Sequence, residues 1–138
     1  MIYVTRREVF SSSHRLFNPN FSDEENERLF GKCNNLNGHG HNYILEVIVA
    51  GEVDLNTGYV IDLKVLKEII KKNVISKVDH KNLNLDVDFL KGKIPTAENI
   101  AIGIWHQLDN KLPSGKLYSI KLYETENNYV EYKGKTIN

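Results

Sequence analysis

The stretch NYILEVIVAGEV, residues 42–53, decides the fold of this chain. Its aromatic and β-branched residues predict a strand, and turn-forming residues follow it at positions 54–58. Residues 2–13 show a rough alternation of similar residue types and predict an earlier strand. The segment 14–41, which includes a short helix that Ser22 can cap, connects the two strands, and a connection of that length is usually functional.

The second half of the chain predicts two helices and a hairpin. Behind Asp62, which can cap a helix, apolar residues recur at helical spacing as far as Val74. A second helix is predicted to begin at Pro95–Thr96 and to end near Leu112–Pro113. Residues 116–125 and 127–135 then alternate at period two, which is typical of a hairpin.

Together these elements predict a single α+β domain spanning residues 1–138. The economical architecture is a four-stranded antiparallel sheet with both helices on one face. The edges of so small an open sheet favour pairing with further copies of the chain, so a closed ring of subunits is expected.

Composition narrows the function classes. The formal net charge is zero, with 18 basic and 18 acidic residues, which argues against a general electrostatic nucleic-acid binder. The N-terminus has no signal-peptide core, and no segment approaches the roughly 20 apolar residues of a membrane helix. The single cysteine, Cys33, cannot form an internal disulfide, so a soluble cytoplasmic protein without a membrane partner is expected.

Three histidines are candidate metal ligands. His39 and His41 are two residues apart at the start of a strand, so their side chains share one face. His14 ends the first strand, and antiparallel pairing of the two strands would bring it to the same place. Three imidazoles with one open position are typical of catalytic zinc. A His-x-His pair by itself more often reflects ordinary surface histidines, but His14 and the nearby thiol favour the metal site.

Cys33 and the pair Asp79–His80 are candidates for proton transfer. A lone cysteine is usually a small buried hydrophobe, whereas Cys33 lies in a polar segment next to Lys32, which favours thiolate. The residues alone also allow Cys33 to be a fourth metal ligand. Asp79 can orient His80 as a proton relay toward a third group such as Cys33, although such a dipeptide often only caps a turn.

A carboxylate at the end of the third strand is a candidate ligand anchor. Glu124 shares a face with Glu126 and can accept two hydrogen bonds from the amide-like edge of a heterocycle, although an exposed strand-end glutamate is commoner. Thr96 and Glu98 at the start of the second helix are ambiguous, because Glu98 can equally face the helix dipole.

Five separated motifs, in order and with compatible gaps, resemble the 6-pyruvoyl tetrahydropterin synthase family. They are FSSSHRL (10–16), SDEENERLFGKCNNLNGHGHNY (22–43), VDHKNLN (78–84), PTAENIA (95–101) and YETENNYV (123–130). The likeness runs from about residue 7 to residue 135. It implies the tunnelling fold, in which the sheets of three subunits form a β-barrel and two trimers stack into a homohexamer with active sites between subunits.

The resemblance also implies a role for each candidate residue. The zinc ligands, one ion per subunit, would be His14, His39 and His41. The proton-transferring residues would be Cys33, which stays outside the metal shell, and Asp79 with His80. The pterin-binding residues would be Glu124, Thr96 and Glu98. Family members often carry a second threonine where this chain has Ala97, so a hydroxyl contact is lost there.

The implied reaction converts 7,8-dihydroneopterin triphosphate to 6-pyruvoyl tetrahydropterin with loss of triphosphate, in tetrahydrobiopterin biosynthesis. It consumes no nicotinamide, and the chain has no dinucleotide-binding glycine fingerprint. The triphosphate needs cations, for which Lys32, Arg15, Lys81 or a bound magnesium ion are candidates.

Two alternative functions stay open. The 6-carboxytetrahydropterin synthases of queuosine biosynthesis act on the same substrate but tend to place the cysteine four residues before the first histidine of the His-x-His pair. Cys33 precedes His39 by six residues, which favours the pyruvoyl-forming enzyme. A non-catalytic pterin-binding or zinc-storage protein is the third possibility, and the presence of Cys33, Asp79 and His80 argues against it.

Overall fold

A computed structural model describes residues 1–135, which contain one five-stranded sheet beside several helices. The strands are β1 (Ile2–His14), β2 (His39–Gly51), β3 (Lys81–Asn82), β4 (Lys116–Thr125) and β5 (Asn128–Tyr132), in the spatial order β3-β1-β2-β4-β5. The helices are α1 (Asp23–Phe30), α2 (Leu63–Ile70), α3 (Ser76–Val78) and α4 (Ala97–Leu108). A π-helical turn, Lys71–Ile75, joins α2 to α3. The last three residues of the predicted domain, 136–138, lie outside the described residues.

The α+β class is confirmed, but the predicted four-stranded antiparallel sheet is wrong. The additional strand, β3, pairs in parallel with β1 at Ser12 and Ser13. Its flanking amides complete the ladder, since the His80 N–H donates to the Ser11 carbonyl at 2.6 Å and the Leu83 N–H to the Ser13 carbonyl at 2.8 Å. A strand of two residues is too short for alternation to reveal it. Only tertiary pairing with β1 defines it.

The main antiparallel pair, β1 with β2, aligns the ends that carry the histidines. His14 lies opposite His39, and Ser12 lies opposite His41. The second strand therefore begins at His39, three residues before the predicted position 42. Polar residues hid this boundary, because periodicity marks the apolar part of a strand better than its ends.

The predicted first residues of the helices are confirmed, but the predicted end of the last helix is wrong. Ser22 and Asp62 cap α1 and α2 as predicted, each accepting a hydrogen bond from a backbone N–H of the first turn. Helix α4 ends at Leu108 and not near residue 112, because the next residues form a turn in which the Lys111 N–H donates to the Leu108 carbonyl. Within residues 1–135, no helix is both long enough and apolar enough to cross a bilayer.

The core lies between one face of the sheet and the helices. Alternate residues of β2 are fully buried there: Tyr43, Leu45, Val47 and Val49. Apolar side chains of α2 and α4, among them Leu66 and Ile104, belong to the same cluster. Burying a large apolar side chain stabilises a fold by about 1.5–3 kcal/mol, so this layer fixes which sheet face the odd-numbered residues of β2 occupy. His39 and His41 follow the same alternation.

Candidate active site

Three histidines converge where β1 ends and β2 begins. Their candidate ligand atoms all lie within 4.8 Å of one another, and no other such group of at least three His, Cys, Asp or Glu is found among residues 1–135. Gly38 allows the chain to pass this point, because its φ is +76° and a Cβ there would lie 2.8 Å from the His14 carbonyl oxygen. The convergence predicted from strand pairing is therefore present. We call His14, His39 and His41 the histidine triad.

The spacing of the triad nitrogens fits a bound cation. His14 Nε2 lies 3.0 Å from His39 Nε2. Two such nitrogens at this distance need a proton or a cation between them, and a tetrahedral ion at about 2.0–2.1 Å from each nitrogen separates its ligands by roughly 3.3 Å. His41 Nε2 and His39 Nδ1 are buried and have no hydrogen-bond partner among the described residues. A metal ion bound at the triad would provide a partner for one or more of these buried ring nitrogens.

His14 is held in the tautomer that a metal ligand needs. It is 1% exposed, and its Nδ1 lies 2.8 Å from the Pro95 carbonyl oxygen. A carbonyl only accepts, so Nδ1 carries the hydrogen and Nε2 keeps a free lone pair facing the triad. The Tyr43 hydroxyl lies 3.4 Å from the same Nδ1. Sequence reasoning missed both neighbours, since a backbone carbonyl has no residue-type signal and Tyr43 looked like an ordinary strand residue.

Burial keeps two triad members neutral. Desolvation is the main cause that lowers the pKa of His14 and that of His41 below the usual 6.5, and the neighbouring His39 acts in the same direction on both. Glu124 opposes this at His41, since its carboxylate lies 3.6 Å from His41 Nε2. Neutral imidazole is the form that binds metal, so the environment favours metal binding at neutral pH.

Cys33 lies in a short 3-10 turn, Gly31–Asn34, which follows α1 directly. Its side chain is half-buried, and its carbonyl accepts a hydrogen bond from the Leu16 N–H at 2.7 Å. Cys33 does not belong to the group of converging ligand atoms found in residues 1–135. The backbone of Cys33 is thus tied to the segment that follows His14, and its thiol is not among the ligand atoms that converge at the triad.

Asp79 and His80 form a pair at the edge of the sheet, between α3 and β3. Asp79 Oδ1 accepts the Ser11 N–H at 2.9 Å and lies 3.1 Å from His80 Nδ1. The Ser11 bond is the main cause that lowers the pKa of Asp79, and His80 adds to it. The His80 side chain is 83% exposed, and its φ of +61° is unusual for a residue other than glycine. We call these two residues the relay pair.

The three predicted pterin-binding residues lie in different settings. Glu124 is partly buried beside His41, so the structure brings it to the triad. The Thr96 hydroxyl caps α4 by accepting the Asn99 N–H at 3.2 Å, directly after the Pro95 carbonyl that contacts His14. Glu98 is exposed in the first turn of α4, where its charge suits the helix dipole.

Comparison with known proteins gives a consistent result. The family model described as 6-pyruvoyl tetrahydropterin synthase matches residues 3–135. The 6-pyruvoyl tetrahydrobiopterin synthase of Homo sapiens is 52% identical over 132 residues, covering 96% of this chain and 91% of the relative. The solved structure of Caenorhabditis elegans 6-pyruvoyl tetrahydropterin synthase superposes with a TM-score of 0.92 at 43% identity, covering 97% of this chain and 96% of that chain.

A more distant relative is the 6-carboxy-5,6,7,8-tetrahydropterin synthase of Rickettsia typhi. It is 34% identical over 149 residues, covering 95% of this chain and 99% of the relative. This identity of 34% is lower than the 52% to the human protein and the 43% to the nematode protein. The family model matches nearly the whole described chain. Together with these relatives, it shows that the chain belongs to the 6-pyruvoyl tetrahydropterin synthase family.

Proposed function

We propose that this chain is a zinc-dependent lyase that converts 7,8-dihydroneopterin triphosphate to 6-pyruvoyl tetrahydropterin with elimination of triphosphate, in tetrahydrobiopterin biosynthesis. The observation that carries the proposal is the histidine triad, a converging set of three imidazoles in a chain 52% identical to a 6-pyruvoyl tetrahydrobiopterin synthase. Three histidine ligands leave one tetrahedral position open, as in catalytic zinc sites.

His14, His39 and His41 would hold the zinc ion, one per subunit. When bound, zinc supplies Lewis acidity that stabilises negative charge on oxygen atoms of the substrate side chain. The role of the chain is to keep the ligands neutral and oriented, which burial and the Pro95 carbonyl do for His14. Glu124 adds a carboxylate at the rim of this site, where it can accept hydrogen bonds from the pterin ring.

Proton transfer falls to Cys33 and the relay pair. The overall change is an internal redox rearrangement, because the pterin ring is reduced while the side-chain carbons are oxidised, and elimination of triphosphate completes it. Cys33 takes a proton from the side chain as thiolate, and His80, oriented by the Asp79 carboxylate at 3.1 Å, moves protons to or from the ring. Thr96 and Glu98 line the pterin pocket at the start of α4. Lys32, Lys81 or a magnesium ion would neutralise the triphosphate.

Assembly into a homohexamer, a dimer of trimers with sheets joined into a barrel, is part of the same proposal. Its support is the sheet face turned away from the helices, which exposes Tyr3 and Val9 of β1 and Tyr129 of β5. Side chains of that kind on an uncovered sheet favour burial against further copies. We also propose a single domain over residues 1–138, supported by one family model that matches residues 3–135, and a cytoplasmic location, supported by the single cysteine.

The decisive experiment identifies the product. Purified zinc-loaded protein is incubated with 7,8-dihydroneopterin triphosphate, and the pterin and inorganic products are measured by mass spectrometry. We expect 6-pyruvoyl tetrahydropterin and one equivalent of triphosphate, and no pterin product above background from Cys33→Ala. A 6-carboxy product, with the side chain shortened by two carbons, would instead assign the chain to the queuosine branch.

A further inference from the structure

Arg15 lies between the histidine triad and the turn that carries Cys33. It follows His14 directly, and its guanidinium donates from Nε to the Asn34 carbonyl at 2.9 Å and from Nη2 to Asn34 Oδ1 at 3.0 Å. The Leu16 N–H donates to the Cys33 carbonyl at 2.7 Å. Three hydrogen bonds therefore join the end of β1 to the turn Gly31–Asn34.

Both the backbone and the side chain of Arg15 are held in place. Asn84 accepts the Arg15 N–H at 2.7 Å and donates its side-chain amide to the Arg15 carbonyl at 2.8 Å. The guanidinium also lies over the ring of Phe17, 4.1 Å from its centroid. A free arginine side chain carries about 2 kcal/mol of rotamer entropy, and these contacts restrict Arg15 to one conformation. We call the Arg15 side chain with its two bonds to Asn34 the strut, because it forms a fixed link and not a mobile surface cation.

The partners of Arg15 are neutral oxygens of the protein. An arginine that binds phosphate keeps the fork of its guanidinium available for two parallel bonds to the ligand. Here Nε and Nη2, one edge of that fork, are already used by Asn34. Lys32 and Lys81, in contrast, are exposed, so their ammonium groups keep the conformational freedom that a side chain needs to bind a triphosphate.

We propose that Arg15 is a positioning residue, which acts through Asn34 to hold the Cys33 thiol at a fixed place relative to the histidine triad. The inference rests on the proposed function, because it assumes that Cys33 takes a proton from a substrate placed at the triad. Misplacing a reacting group by about 1 Å can cost roughly a hundredfold in rate, so a strut of this kind affects turnover more than binding.

The first test separates positioning from anion binding. In zinc-loaded Arg15→Gln we expect retained zinc, a kcat lowered by 10- to 100-fold and a KM within threefold of the unchanged protein. Arg15→Lys, which keeps the charge but loses the fork, should also be impaired. Exposed Arg28 on α1 supplies the control, and Arg28→Gln should leave kcat and KM unchanged. A raised KM with unchanged kcat, or a fully active Arg15→Lys, would overturn the proposal in favour of a charge contact with the substrate.

A second test follows the thiol without using turnover. The chain has one cysteine, so the rate of alkylation by iodoacetamide reports Cys33 alone. Asn34→Ala removes one partner of the strut while leaving the charge of Arg15 in place, and should raise this rate at least threefold. The neighbouring exposed Asn35 is the matched control, and Asn35→Ala should not change it. Arg15→Gln removes both guanidinium bonds to Asn34 and should raise the rate further, and an unchanged rate in both Asn34→Ala and Arg15→Gln would refute the positioning role.

The two tests also distinguish failure of the positioning role from failure of the proposed function. If Cys33→Ala remained active, the catalytic role of the thiol would be wrong, yet Asn34→Ala would still report whether Arg15 fixes the turn. If Cys33→Ala were inactive and Arg15→Gln fully active, the proposed function would stand and the positioning role would fall.

Discussion

The histidine triad and the relay pair lie at the same end of β1 but are built in opposite ways. The triad has one buried and two partly buried histidines, its position is set by the register of two long strands, and desolvation lowers the pKa of His14 and of His41. The relay pair lies at a sheet edge beside a two-residue strand, with the imidazole 83% exposed on a residue of positive φ. The difference teaches that a group of histidines able to hold a metal ion is assembled from two paired strands of one chain, whereas the His80 imidazole at the sheet edge faces outward.

The largest expected effect comes from the triad. His39→Ala removes one of three ligands, so we expect loss of stoichiometric zinc and a fall in turnover of at least about a thousandfold, with the fold retained. Metal content by elemental analysis and steady-state kinetics measure both. The exposed His106 of α4 gives a control, because His106→Ala should keep metal and activity. Full turnover by metal-free His39→Ala would remove the basis for a metal-dependent reaction.

The two regions differ in how far the sequence predicts them. The triad follows from local rules, since alternation places His39 and His41 on one face and strand pairing brings His14 opposite. The pairing of Asp79 with His80 was also predicted from their adjacency. The sheet edge on which they lie was not, because β3 exists only through contacts with β1 far away in sequence. Likewise, the Pro95 carbonyl that orients His14 belongs to the backbone, which residue types do not reveal.

A smaller effect is expected at the relay pair, and it should leave the metal alone. His80→Gln keeps a polar side chain of similar length but cannot exchange protons near neutral pH. We expect kcat to fall by about 10²- to 10⁴-fold, the usual contribution of general acid–base catalysis, with zinc content unchanged. Parallel measurement of metal and kcat in His80→Gln and His39→Ala tests the division directly. Loss of zinc from His80→Gln would show that the two regions are not independent.

The pH dependence of stability should also separate the regions. In metal-free protein, the lowered pKa values of His14 and His41 mean that the unfolded chain binds more protons below about pH 6.5. The free energy of unfolding should therefore be highest above that pH and decline as the pH falls through it. Asp79 has a pKa below its usual 3.8, so its stabilising contribution persists until the pH falls lower still.

Urea unfolding of the metal-free protein at pH 8, 7, 6 and 5 measures this decline. As the pH falls below 6.5, His14 and His41 should lower the free energy of unfolding before Asp79 does. His41→Gln, which removes one of the two shifted histidines, should reduce the slope. A flat profile from pH 7 to pH 5 in the unchanged protein would contradict the account of burial given for the triad.

The smallest expected effect concerns the backbone of His80. Its φ of +61° lies in the left-handed region, where a side chain costs roughly 1 kcal/mol that glycine does not. His80→Gly and His80→Ala both lack the imidazole, so they should be equally impaired in turnover. The free energy of unfolding of the glycine variant should be about 1 kcal/mol larger, and its melting temperature roughly 4 °C higher. This order is the reverse of that at ordinary helix positions, where alanine is more stabilising than glycine.

This pair of variants isolates strain from the loss of contacts. The contact between Asp79 and the His80 imidazole is absent from both, so any difference reflects the backbone at residue 80. Thermal melts of both proteins, with zinc bound, provide the measurement. A more stable His80→Gly would mean that the exposed half of the site keeps a strained residue because the imidazole is needed there. If His80→Ala were as stable as His80→Gly, the left-handed conformation would carry no strain, and the contrast with the relaxed strands of the triad would be one of exposure alone.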